Sequence, residues 1–312
     1  MLSFLDPKDL ELVVDDRRFL VQHDNHIAFL YAYRGGYTNK PYIAVMRGPS
    51  GRNVLEDSPG DHVHHHGVWW GHGDVDGVDF YLEVPAKGRR LGRIVHVEFS
   101  KVVDENPRFG FTEQLVWCDD HDDVPIDEVR SVQIHFRDES YYTVDLHSTY
   151  TATRNLKFGT TKESVLPGIR MAEALTGVSG GHIRSSFGGR GERQIFGERA
   201  EWFDYWGERK AIYGLGELAE GVAVFDHPSN PNHPNPMFVR SYGPNSPFQG
   251  HHFTGEAELA KGESWRYRHR LVVHYGDTEE ADIAGKYQAW IDAPDEQKPK
   301  AKPKAKARKG KR

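Results

Sequence analysis

The chain is almost without cysteine. Cys118 is the single one among 312 residues, which excludes an intrachain disulfide framework and a cysteine-based zinc or iron–sulfur site. Long apolar runs are missing too. None approaches the roughly 20 residues of a membrane helix, so no membrane partner is expected. Residues 1–9 lack a basic segment followed by an apolar stretch; no secretory leader is expected, and the location is read as cytoplasmic. The patterns G-x-x-x-x-G-K-[ST], G-x-S-x-G and H-E-x-x-H are absent as well. The glycines around Arg190 form no dinucleotide fingerprint, so no nucleotide cofactor is expected.

Charge is unevenly spread. The formal net charge is −6, yet residues 298–312 hold nine Lys or Arg and no acid, so taking +9 from −6 leaves about −15 on residues 1–297. The acidic body is unsuited to nucleic acid. The Lys/Pro/Ala tail, 293–312, cannot build a core and is expected to be disordered and dispensable, with weak salt-sensitive contact to anionic partners as its alternative role.

What is present is strand pattern and aromatic rings. Alternating runs at 26–33, 42–46, 92–102, 111–118, 131–136, 142–150, 221–225 and 265–274 read as β, with a hairpin turn at Glu139-Ser140. One helix is expected at 278–292, opened by Thr278 with Glu279 and Glu280 in its first turn, and with Ile283, Tyr287 and Trp290 on one face. Many strands without a βαβ rhythm predict an all-β fold, a large antiparallel β-sandwich with one C-terminal helix, spanning 1–292 as a single domain. Aromatics make up 12% of the chain, enough to supply ring platforms for sugars.

The chemistry concentrates in four segments. The first holds five imidazoles between His62 and His72, among Gly, Trp and Asp. Strand alternation would bring His62, His64 and His66 to one face with His65 opposite. His62, His64 and His72 are therefore candidate ligands of a divalent metal, with nearby Asp residues orienting the rings. His64 and His72 are candidate acid–base groups, Trp69 a sugar platform and Asp79 a substrate contact. The second segment, 226–234, offers His227 as a catalytic candidate and Asn230 as a substrate contact on a proline-stiffened loop. The third places Glu163 as an acid–base or metal-ligating carboxylate, with Arg170 beyond it. In the fourth, Arg240 and Tyr242 share a face suited to an anion or sugar oxygens. Trp202 heads a further aromatic stretch.

The order D-H-x-H-H-x-G-x-W-x-x-H-G-D-V-x-G-V-D-F at 61–80, F-G-x-T-K-E at 158–163, F-D-H-P-x-N at 225–230 and R-x-Y-G at 240–243 resembles the bacterial family named methane oxygenase PmoA. Two positions depart from that pattern, Val63 in place of proline and His66 in place of Arg or Lys. The resemblance implies a His-ligated iron or copper oxygenase, its ligands drawn from His62, His64 and Glu163, and it implies companionship with sugar oxidoreductases. Three functions follow as expectations. The leading one is a carbohydrate-active enzyme that cleaves glycosidic bonds of oxidised or keto-sugars by hydrolysis or elimination, with an oligosaccharide as substrate. The alternatives are the oxygenase and a non-catalytic carbohydrate-binding sandwich. All four segments are expected to line one pocket.

Overall fold

The computed structural model describes residues 6–35, 38–84, 86, 88–212, 216–247 and 250–293. The expectation for the tail falls, from Pro294 onward, outside the described residues.

Two eight-stranded antiparallel sheets form the expected sandwich. The first runs Glu11–Val14, Arg18–His23, His26–Ala32, Tyr42–Met46, Val68–His72, Ser164–Arg170, Pro244–Ser246, Phe238–Val239. The second runs His182–Ser185, Trp202–Lys210, Glu217–Asp226, Ser264–Tyr275, Tyr141–Ala152, Ile126–Phe136, Arg108–Cys118, Arg93–Glu105. One continuous cluster of buried side chains from Leu10 to Val273 takes residues from both sheets. Alternation decides which residues enter it. Along Ile126–Phe136, Ile126, Val132, Ile134 and Phe136 point inward. Glu128 and Arg130 fall in the same phase and are buried with them.

Those two charges belong to a polar bolt between the sheets. Arg130 donates through Nε and Nη2 to the two oxygens of Glu128 at 2.8 and 2.9 Å, and through Nη1 to Tyr31 Oη at 3.0 Å. Its guanidinium lies 3.7 Å over the ring of Trp70. Glu128 also accepts from Trp117 Nε1 and Ser148 Oγ, while Tyr31 donates to Glu113. Tyr31 and Trp70 belong to the first sheet, and the other partners belong to the second.

The helix is shorter than its pattern suggested. It spans Ile283–Ile291 and is capped by the Asp282 side chain, which accepts from Gly285 N. Thr278 does not cap it, because its hydroxyl donates to Asp204 Oδ2 at 2.7 Å and ties the preceding turn to the second sheet. Ile283, Tyr287 and Trp290 cover Trp202, Ala223, Phe225 and Val272 on that sheet's outer face. Val68–His72 was not legible as a strand. It is buried on both faces, so its sequence does not alternate in polarity.

Candidate active site

The histidine segment is a turn and not the expected strand. His62 N donates to Pro59 O and His65 N to His62 O, both at 2.9 Å. The rings therefore do not alternate. His62 and His65 stack face to face, with centroids 4.6 Å apart, and His66 departs to a separate pocket. There its Nδ1 is 2.6 Å from Asp57 Oδ1 and its Nε2 is 3.0 Å from both oxygens of Glu83. Each nitrogen has a carboxylate as its nearest partner, so both carry protons. Burial works against the cation, but hydrogen bonds to Asp57 and Glu83 outweigh it and raise the His66 pKa. A raised folded-state pKa gives stability that is complete below the ordinary imidazole value of about 6.5 and lost as pH climbs through the raised one. Denaturant unfolding should accordingly show stability falling as pH rises past the ordinary imidazole value of about 6.5, with the slope flattened in His66→Gln. An equal slope in the variant would assign the effect elsewhere.

His65 is the centre of the second pocket. It is buried on Trp69, with ring centroids 5.1 Å apart. Arg170 Nη1 lies 3.3 Å from its Nδ1, and Tyr81 Oη lies 3.0 Å from its Nε2. An arginine can only donate, so Nδ1 accepts and the ring proton sits on Nε2, donated to Tyr81. Burial, then His64, His62 and Arg170, push the His65 pKa down to about 2. The imidazole is neutral, and the phenol accepts its proton bond while keeping its own proton to donate. Burial, followed by the charge of Glu163, holds the Tyr81 pKa above the ordinary phenol value.

A glycine delivers Tyr81. A Cβ on Gly71 would stand 2.7 Å from Phe80 O, so only glycine lets that segment cross the strand. Asp79 then fixes the turn. Its Oδ1 accepts from Tyr81 N and Leu82 N, and its Oδ2 pairs with Arg89 at 2.8 Å. Asp79 is buried and fully engaged, so it is a turn-former and not the expected substrate contact.

Around this core lie the groups that face outward. His64 is half-buried and edge-on to His65 and Tyr81, at 4.8 and 5.5 Å between centroids. Burial, then His62 and Lys40, lower its pKa, which makes it a neutral base at physiological pH. Glu163 lies in the turn before Ser164–Arg170, accepts from Thr161 Oγ1 at 2.8 Å, and its charge acts on both His64 and Tyr81. Tyr242 stacks on His62 at 5.6 Å and has the guanidinium groups of Arg170 and Arg240 over its ring at 5.3 and 5.6 Å. The first, third and fourth segments thus converge.

Arg170 is no free clamp, since it also meets Asp61 at 3.1 Å and Glu56 at 3.4 Å. It positions His65. Trp69 likewise supports His65 from below, being buried, and is not an exposed platform.

His72 follows Val68 and Trp70 on the inward face of its strand, against Phe158, while Trp69 points to His65. The metal set of His62, His64 and His72 is therefore not assembled. Among the described residues no three His, Cys, Asp or Glu side chains are grouped as a metal site requires. Trp202 lies under the helix. The second segment belongs to the other sheet. His227 packs edge-on to Trp290, and Asn230 is buried, donating to Asp226 and Arg268 O and accepting from Arg268 N. That asparagine pins its loop to a strand.

Tyr81, Asp57 and Glu83 were missed. The signal for Tyr81 was its place one residue after Phe80, out of phase with a core position.

The profile of a family of unknown function, DUF6807, matches residues 18–288. This corrects the resemblance to the methane oxygenase PmoA family, and the oxygenase expectation falls with it. No curated protein matches. Solved structures that match include a heparan sulfate lyase HepC mutant from Pedobacter heparinus, 10% identical with a TM-score of 0.37, the match covering 86% of this chain and 37% of that one. They also include a GalM/aldose epimerase homologue from C. elegans, 9% identical with a TM-score of 0.34, covering 86% and 98%. A galactose mutarotase related enzyme from Lactobacillus acidophilus is 10% identical with a TM-score of 0.30, covering 86% and 98%. The chain spans little more than a third of the length of the HepC lyases it matches. No helix among the described residues is long and apolar enough to cross a membrane.

Proposed function

The chain belongs to the DUF6807 family of unknown function, and from that premise we propose, on the chemistry of its site, that it cleaves acidic or keto-sugar glycosides by elimination. The carrying observation is a neutral imidazole, His64, edge-on to a proton-bearing phenol, Tyr81, whose partner His65 is fixed in one tautomer by Arg170. His64 removes the proton on the carbon next to the carbonyl or carboxylate. The C–O bond to the leaving sugar breaks, a C=C bond forms, and Tyr81 protonates the departing oxygen. The proton on His64 then returns to Tyr81, directly or through solvent. His65 Nε2–H steadies the phenolate while it lasts. Arg240, beside Tyr242 and paired through Nε with Glu192 at 3.2 Å, meets the substrate carboxylate with its remaining N–H groups, and Glu163 accepts hydroxyl protons.

Elimination is favoured over hydrolysis because the site does not offer two free carboxylates flanking one bond. Asp61 is engaged by Arg170, leaving Glu163. The test is incubation of the full chain with uronate-containing, keto- and neutral oligosaccharides, scoring new reducing ends and product unsaturation. Unsaturated products from acidic or keto-substrates are expected. Saturated products would establish hydrolysis, and binding without turnover would establish a carbohydrate-binding sandwich; either result overturns the proposal.

A further inference from the structure

The second sheet presents an outward face of opposite character to the acidic body. Along Ser264–Tyr275, Tyr267, His269, Leu271 and Val273 point inward, so Arg266, Arg268 and Arg270 share the other face. Register sets Arg270 beside Asp145 and Arg268 beside His147 on the neighbouring strand. One strand further, Thr143 pairs with His135, and His135 with Arg108. With the helix as a wall, these side chains enclose a cleft of about 420 Å³.

Its lining holds five cations, Arg108, Arg137, Arg268, Arg270 and Lys286, against one carboxylate, Asp145. Asp145 is consumed by Arg270, which donates to both of its oxygens at 2.6 and 2.7 Å. Lys286 is held over the Tyr141 ring at 4.4 Å. Arg108 and Arg137 form no ion pair with a carboxylate among the described residues. A second sign of a missing partner is Thr143. Its hydroxyl is buried in the cleft lining and has no hydrogen-bond partner among the described residues. Such a hydroxyl is rarely left unmatched, so a ligand or an ordered water in the cleft completes it. An excess of guanidinium groups in a cleft suits planar, multiply charged acceptors.

We infer that this cleft is a second binding site, separate from the His65 pocket, for a small polyanion carrying two or more carboxylate, sulfate or phosphate groups. Arg108 and Arg137 hold the charged groups, and Thr143 donates to one oxygen. The aromatic rim of Tyr141 and Trp290 lies beside them.

A reporter sits inside the cleft. Burial, then Arg137, Arg108 and Arg270, push the His135 pKa down to about 4, with Asp145 opposing them. A bound anion adds negative charge and should move it up.

Calorimetry on the full chain tests the assignment. The probes are trigalacturonate, inositol hexakisphosphate, neutral maltotriose and a short single-stranded DNA. At least one of the first two should bind, more weakly as salt rises, and which one does distinguishes a carboxylate from a phosphate source. Arg108→Ala with Arg137→Ala should reduce affinity at least about tenfold. The paired lysine variant, which keeps the charge, should retain binding. Both arginines are exposed, and thermal melting verifies that each variant is folded. With the polyanion bound, the His135 resonance should titrate at higher pH. The inference is overturned if neither polyanion binds or if maltotriose binds equally. Unchanged affinity in the alanine pair would place binding on the basic tail, and equal loss in the lysine pair would remove charge as the cause. Tighter binding of DNA than of either polyanion would refute a small-ligand site.

Discussion

His64→Ala is expected to lower turnover of the cleaved glycan by about 10²–10⁴-fold, the range for loss of a positioned general base. Tyr81→Phe should fall in the same range, because it removes the one proton aimed at the leaving oxygen and leaves the ring in place. His64 is half-buried and edge-on to its neighbours, so its loss opens little core and the fold should survive. The two variants are expected to be far from additive, since abstraction and protonation act on one transition state. The pH profile separates catalysis from support. His64 must be neutral to act, and its pKa lies below the ordinary imidazole value. Activity should therefore persist on the acid side of about pH 6.5 and fall only as His64 gains a proton. A Tyr81→Phe enzyme with unchanged kcat would remove the phenol from the mechanism.

Arg130→Ala is expected to destabilise the fold by about 3–5 kcal/mol, the range for breaking a buried ion pair by removing one partner. The change strips the carboxylate of Glu128 of two charge-assisted bonds in a region with no water access. It also empties the space over Trp70 and takes the donor from Tyr31. A double replacement, Arg130→Met with Glu128→Gln, should recover much of the loss, because no uncompensated charge is then buried. Urea unfolding of the three proteins measures this. A cost of under about 1 kcal/mol for Arg130→Ala would mean that solvent reaches the pair.

The sandwich was legible because many strands alternate in polarity, as Tyr141–Ala152 and the 132–136 half of Ile126–Phe136 do. Val68–His72 was not, since both of its faces are covered, by the shared core on one side and by His65 and Tyr81 on the other. Histidines thought to lie on a strand are in a turn, and His72, assigned to the pocket, points into the core. The Glu128–Arg130 pair was overlooked for the opposite reason, as charged residues in a strand ordinarily mark the solvent face; their phase with Val132 and Ile134 was the available sign. Site segments one, three and four converge because their strands are neighbours in one sheet. The Asp226–Asn230 segment carries the same residue types, but its polar groups are spent on one another and on the strand beside them. Composition cannot separate a hydrogen bond made to a ligand from one made to the protein's own backbone.

The central claim is that substrate meets the His64–Tyr81 pair on the first sheet. The most direct measurement is histidine side-chain NMR on the full chain while the cleaved glycan, or its product, is added. The account predicts that His62, His64 and His65 shift together, with His65 remaining neutral and protonated on Nε2 throughout. Shifts confined to His135 and His147, with those three unmoved, would contradict it.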